Sequence, residues 1–211
     1  KGVLVSTKKM YDKELPQWTQ ELLQSKGLTI TPKGLALLVD HIGNDLTRIE
    51  NEIDKLSVNL GKRTNITEDD IEKYIGVSKD FNVFELQNAI SKREYLKINR
   101  IINYFGANQK NNPMILTIST LNAFFTKVIS YHVYKGKPGI NLATTLGVNP
   151  YFMKDFDVAA RNFPLSAAMN VISLLHEYDL RSKGVNNLNT SENDLLKELV
   201  YKIMHPQAVL A

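Results

Sequence analysis

Cysteine is absent from the 211 residues. Disulfides, thiolate nucleophiles and thiolate metal sites are therefore excluded, and a reducing setting is the easiest fit. Glycine-rich phosphate loops are missing as well: neither GxxxxGK followed by Ser or Thr nor GxGxxG occurs. A phosphate needs backbone N–H groups that can approach it closely, so the sequence predicts no nucleotide site and no cofactor. No GxSxG elbow presents a serine for nucleophilic attack. No uninterrupted apolar run reaches the roughly 20 residues that span a bilayer, and Lys1–Lys9 lacks the apolar stretch and cleavage site of a signal peptide. Because the chain opens on Lys1 and a β-branched run, it reads as a segment whose native amino-terminal part is missing.

What is present suits one or two small domains with real cores: 43% of residues are hydrophobic. The net charge of +4 is unevenly placed. Residues 1–77 carry 11 Lys and Arg against 12 Asp and Glu, and residues 78–211 carry 15 against 10. The second half thus permits contact with nucleic acid without demanding it.

Val3–Val5 is the one persuasive strand signal; the rest predicts helix. Pro16 stands at a helix start that Gly27 closes, and Thr31 caps a helix that begins at Pro32 and carries Leu35, Leu38, Val39 and Ile42 on one face. After Gly43 come Leu46, Ile49, Ile53, Leu56 and Leu60, spaced three, four, three and four. That stripe lasts barely two heptads, too short for a coiled coil, so it predicts burial inside a small bundle. In ITEDDI, Thr67 and Asp70 have capping-box spacing and Ile66 can staple to Ile71. Four short helices therefore make the first module.

FNVFEL repeats this start grammar, with Asn82 as cap, Glu85 reaching back and Phe81 against Leu86, which makes residues 76–80 the expected hinge. Further helices are predicted over Tyr95–Phe105, Pro113–Val133, Leu142–Leu146, Pro150–Asn162, Leu165–Lys183 and Asp194–Met204. Their large apolar residues include Ile115, Leu116, Leu121, Phe124, Phe125, Val171, Ile172, Leu174, Leu195 and Leu199. One core should bury most of them, and a surplus on one helix would leave an interface-like patch. The fold class is all-α, a small bundle followed by a larger helical domain.

Residues able to do chemistry are scattered. His41, His132, His176 and His205 have no second His at ligand spacing, and the sequence predicts no metal site. Glu50, Glu52 and Asp54 alternate around the polar side of one helix, and Glu68–Asp70 belong to a first helical turn. No catalytic residue is expected. INLATTLGVNPYFMKDF does carry the Ala143–Gly147 spacing and the apolar pattern of a helix-turn-helix, so a DNA-binding regulator is the rival reading. Its second helix would present Tyr151, Lys154 and Asp155, a surface poor in groups that read base edges. Asn149 and Pro150 would instead fix Tyr151 at an exposed helix start, where an aromatic beside a cation can stack on an unpaired base. Tyr151, Lys154, Lys127, Lys135 and Lys137 are the candidate DNA contacts.

Five stretches in order, YDKELPQW, GNDLTRIENEIDKL, ITEDDIEKYIG, DFNVFELQNAI and PMILTISTLNAFF, resemble the carboxy-terminal two thirds of bacterial DNA polymerase III delta subunits, of the AAA+ clamp-loader family. The resemblance implies a non-catalytic scaffold. Residues 1–77 would be the end of an amino-terminal domain plus a helical lid, and residues 78–211 a helical collar that joins ATPase subunits and delta-prime. It further implies a cytoplasmic protein near primer-template DNA, with sliding-clamp contacts confined to the preceding domain and no membrane partner. The two-heptad stripe is then a lid helix. ATP-using members place an arginine three residues after the glycine, where this chain has Leu46; Arg48 lies about 200° further round the helix. An ATPase-type loader subunit is the remaining alternative, and calorimetry with Mg-ATP distinguishes it: no binding is expected, and micromolar affinity would overturn the reading.

Overall fold

A computed structural model describes residues 11, 14–78, 80–187 and 189–205, apart from the side chain of Asp40. The expected Val3–Val5 strand and part of YDKELPQW lie outside these residues. The regular structure among the described residues is almost wholly helical, and the chain divides into two compact units, residues 1–79 and 80–211.

The first unit contains α1 (Leu15–Ser25), α2 (Pro32–Ile42), α3 (Leu46–Leu60) and α4 (Glu68–Ile75). Ile49, Ile53, Leu56 and Leu60 of the short heptad stripe are buried, and Leu46 is half-buried. They pack within the bundle, as a stripe without a partner coil must. Two strands of two residues join them: β1 (Thr29–Ile30) runs parallel to β2 (Asn65–Ile66). Periodicity cannot reveal so short a pair, but local grammar could have. Thr29-Ile30-Thr31 and Asn65-Ile66-Thr67 each lead straight into a helix, so the pairing sets two helix starts side by side. The Thr31 hydroxyl accepts from the Gly34 amide at 3.0 Å and donates to Glu68 at 3.1 Å. At the other start, the buried Asp70 carboxylate accepts from the Thr67 amide at 2.9 Å, from its hydroxyl at 2.8 Å and from Arg63 at 2.7 Å. Burial alone would raise the Asp70 pKa, but these donors outweigh it and hold the carboxyl below its usual range.

The second unit contains α5 (Val83–Lys92), α6 (Tyr95–Ala107), α7 (Met114–Tyr134), α8 (Leu142–Leu146), α9 (Met153–Asn162), α10 (Leu165–Ser182) and α11 (Glu192–Met204). Its most extensive helix pairing is α7 on α10. By length and composition α7 is apolar enough to cross a membrane, although Ser, Thr, Asn and Lys127 interrupt its apolar run. Here it is the core helix, with Ile118, Leu121, Phe124, Phe125, Val128 and Tyr131 buried. Rings continue the core outward: Phe124 lies 5.2 Å from Phe156 and Phe125 lies 5.1 Å from Phe163. Ring pairs of this kind add about 0.5–1.5 kcal/mol each beyond area burial.

Helices α5 and α9 cap each other. The Asn162 amide donates to the Ser91 carbonyl at 2.8 Å, and the Arg93 guanidinium donates to the Asn162 carbonyl at 3.1 Å while lying over the Phe163 ring. Arg93 itself ends α5 with φ 58°, a left-handed conformation that glycine usually supplies. The Asn82 side chain accepts from the Phe84 and Glu85 amides, Glu85 pairs with Lys97, and Phe81 stacks on Tyr104 at 5.1 Å.

Gly106 of α6 faces Asn193 of α11 so closely that an added Cβ would come within 2.4 Å of the Asn193 amide oxygen. Alanine in a helix gains about 1 kcal/mol over glycine, whereas overpacking costs about 1–3 kcal/mol. Gly106→Ala alone should therefore lower the thermal midpoint, and the same change in an Asn193→Ala background should raise it. A stabilising Gly106→Ala in the wild-type background would show that the Asn193 side chain turns aside at little cost.

Candidate functional site

The carboxy-terminal end of α7 and the beginning of α9 hold most of the candidate contacts. Asn149 accepts from the Tyr151 amide at 2.9 Å, and Pro150 brings no amide of its own, so Pro150–Phe152 forms a tight 3-10 turn rather than the first turn of one continuous helix. The turn presents Tyr151, 64% exposed and edge-on to Phe152 with ring centres 5.1 Å apart. Lys154 follows one turn later and is also exposed.

Lys135 ends α7 beside α9, its ammonium 3.3 Å from Asp157 and 5.0 Å from the Tyr131 ring. Tyr131 donates its hydroxyl to the same carboxylate. That hydrogen bond, opposed by burial and reinforced by Lys135, holds the Asp157 carboxyl below its usual range. Lys137 lies 5.2 Å over Tyr134 in the exposed turn beyond. Arg161, missed in the sequence reading, shares one face of α9 with Lys154 and Asp157 by its spacing and adds to the positive field on Asp157. The structure thus brings Lys135 and Arg161 to bear on one carboxylate, with Lys154 on the same face of α9 by its spacing. Lys127 stands apart, half-buried and two turns earlier on α7.

A second cluster of titratable groups ties α10 to α11. Glu198 is 3.2 Å from Arg181 and 3.0 Å from Lys202, and both cations lie over the buried Tyr178 ring. The Tyr178 hydroxyl is buried without a partner in good hydrogen-bond geometry, yet it lies close enough to favour the charged carboxylate. Burial opposes ionisation of Glu198, but Tyr178, Arg181 and Lys202 together bring its pKa down to about 2. A carboxylate held ionised at every physiological pH neither gives nor takes a proton, so this cluster is a strut. Of the histidines, His132 meets the Phe163 carbonyl at 2.9 Å, and His205 stacks on Tyr201 at 4.4 Å. Among the described residues no group of three or more His, Asp or Glu is placed to hold a metal.

In the helix-turn-helix candidate, α8 has five residues, and α8 and α9 each pack on α7. Ala143, Leu146 and Phe156 are buried there as core contributors.

Among the described residues the first unit holds four α-helices and the second seven, and the ionisable clusters described above join helices and turns to one another. Comparison with known proteins gives a particular likeness. The chain is 26% identical over 182 residues to DNA polymerase III subunit delta of Bacillus subtilis, covering 85% of this chain and 52% of that protein. Its fold matches the Bacillus subtilis DNA clamp loader delta protein with a TM-score of 0.58 and 24% identity, over 94% of this chain and 57% of the other. No family model matches. The chain spans about half the length of the curated relative it matches, and the resemblance seen in the five ordered stretches extends to most of the chain.

The low Glu198 pKa has a consequence for acid stability. A carboxylate with a depressed folded pKa contributes stability that is full above its ordinary value of 4.5 and is lost as pH falls through about 2. Glu198 is partly exposed, so solvent screening limits the contribution to about 1 kcal/mol. Between pH 4.5 and pH 2 the thermal midpoint of the wild type should fall more steeply than that of Glu198→Gln. Parallel curves would show a carboxylate not linked to folding.

Proposed function

We propose that the chain is the lid and collar part of a clamp-loader delta subunit, a non-catalytic scaffold within the machinery that places a sliding clamp on primed DNA. The observation that carries this reading is the likeness to DNA polymerase III subunit delta over 85% of the chain, together with a matching fold. Residues 1–77 are assigned to the lid-like helical domain with the end of the domain before it, and residues 78–211 to the collar. The division into units at residues 79 and 80 supports that assignment.

Under this reading the collar joins the ATPase subunits and delta-prime, and clamp opening belongs to the domain preceding the lid. Leu46 begins α3, capped by the Asp45 carboxylate, which accepts from the Arg48 amide at 3.0 Å. A half-buried aliphatic side chain at this helix start offers no charge to a γ-phosphate, which supports a subunit that does not hydrolyse ATP. Primer-template DNA is assigned to the exposed corner of Tyr151, Lys154, Lys135 and Lys137, with Lys127 the least accessible of the five candidates.

The test is reconstitution. Mixed with purified clamp-loader ATPase and delta-prime subunits, the chain should enter a stable complex without opening a clamp by itself. Failure to join, or clamp opening by the chain alone, would overturn the proposal. Within the complex, Tyr151→Ala should weaken single-strand binding by about tenfold, since one stacked base is worth about 1–3 kcal/mol. It should shift the thermal midpoint by no more than about 2 °C, as exposed sites usually do. A large loss of stability would make Tyr151 a packing residue.

A further inference from the structure

A carboxylate stands inside the basic corner assigned above to DNA. Asp157 of α9 is 3.3 Å from the Lys135 ammonium and accepts the Tyr131 hydroxyl through the same oxygen. Arg161, one turn further along α9, donates from Nε to the Asp157 main-chain carbonyl at 3.3 Å. The side-chain partners differ in access. Tyr131 is buried, whereas the Asp157 side chain is 48% exposed and that of Lys135 57%. The phenol therefore anchors the carboxylate to the core of the unit, and of the two partners only Lys135 is free to swing away from it. Until it does, its ammonium lies against the protein, 5.0 Å from the Tyr131 ring. Tyr131 and Asp157 both shift the Lys135 pKa upward, so the ammonium stays charged across the neutral range.

We propose that Asp157 is a built-in stand-in for a DNA phosphate, which holds Lys135 in reserve and sets how tightly this corner grips a single strand. The inference rests on the DNA reading of the corner and names the residue that tunes it. A carboxylate and a phosphate offer an ammonium the same charge-assisted hydrogen bond, so one replaces the other at Lys135 with little net change. An exposed ion pair is weak and is screened by salt, so the exchange meets no large barrier. A strand that meets Lys135 alone gains nothing from displacing Asp157. One already stacked on Tyr151 and paired with Lys154 brings its next phosphate to Lys135 as an intramolecular step, at high effective concentration. Lys154 and Asp157 are three residues apart on α9, about 5 Å along its axis, so the exchange takes place beside the stacked base. The carboxylate thus discriminates against chance contact and favours a strand held at the aromatic.

The test uses the full chain assembled with clamp-loader ATPase and delta-prime subunits, titrated with a fluorescent oligothymidine between about 50 and 200 mM salt. Asp157→Asn keeps an acceptor for Tyr131 and removes the charge that holds Lys135. It should bind about threefold more tightly at the lowest salt. It should also steepen the fall of log affinity with log salt by about 0.7, the share of one further lysine on a single strand. Lys135→Gln in the Asp157→Asn background should erase both changes. Tyr131→Phe leaves the carboxylate charged and drawn to Lys135, so it should bind no more tightly than the wild type even as the thermal midpoint falls. Asp179→Asn makes the same change in net charge at a pair with Lys183 on α10, and should bind like the wild type. Unchanged affinity and slope in Asp157→Asn, with Tyr151→Ala still weakening binding, would overturn the inference and leave the DNA corner standing. Equal tightening in Tyr131→Phe or in Asp179→Asn would also overturn it, because loosened packing or net charge alone would then account for the gain. No effect of either Tyr151→Ala or Asp157→Asn would remove the DNA corner itself, and the inference with it.

Discussion

Burial of one side of α7 is the constraint around which the second unit is arranged. Over 21 residues this helix carries no carboxylate and one lysine, so its inner face can be covered only by apolar groups from other helices. Helix α10 covers most of it, while α5, α8, α9 and α11 take the remainder. The ring chain from Phe124 and Phe125 to Phe156 and Phe163 then fixes where the chain must turn between α9 and α10. The position of Lys135 beside Asp157 follows from that packing, because α7 has to end where α9 passes.

The ionisable residues follow a related logic. Buried helix faces leave few places for charge, and where charges do approach the core they are matched across two elements. Asp70 joins α4 to Arg63 in the turn before it, Asp157 joins α9 to α7, and Glu198 joins α11 to α10. In each case the carboxyl is held ionised by its partners against the effect of burial. Such groups bias which helices meet more than they add stability, since the partly exposed pairs are worth little on their own.

Much of this was legible in residue order. Thr31, Asn82 and Ser191 cap helices in the structure, and the spacing of Leu46, Ile49, Ile53, Leu56 and Leu60 predicted a buried face. Helix ends shifted by a residue or two, as at Glu192 in place of Asp194, because a cap fixes a start more firmly than periodicity does. The two-residue strands escaped because alternation needs at least four residues to be seen. Arg161 escaped for a different reason: its relation to Lys135 runs through Asp157, which Lys135 meets from 22 residues away where α9 packs on α7, and no local pattern records that contact. Tyr151 and Lys154 were visible because cap, proline and aromatic stand within six residues.

The parallel pair Thr29–Ile30 and Asn65–Ile66 gives the first unit a mechanical property that its helices alone would lack. The Thr29 amide donates to the Thr64 carbonyl at 2.8 Å and the Thr31 amide to Ile66 at 3.1 Å, so the segments leading into α2 and α4 are bolted together. Displacing the start of α2 from that of α4 would have to break both hydrogen bonds, so the two helix starts are held in one register.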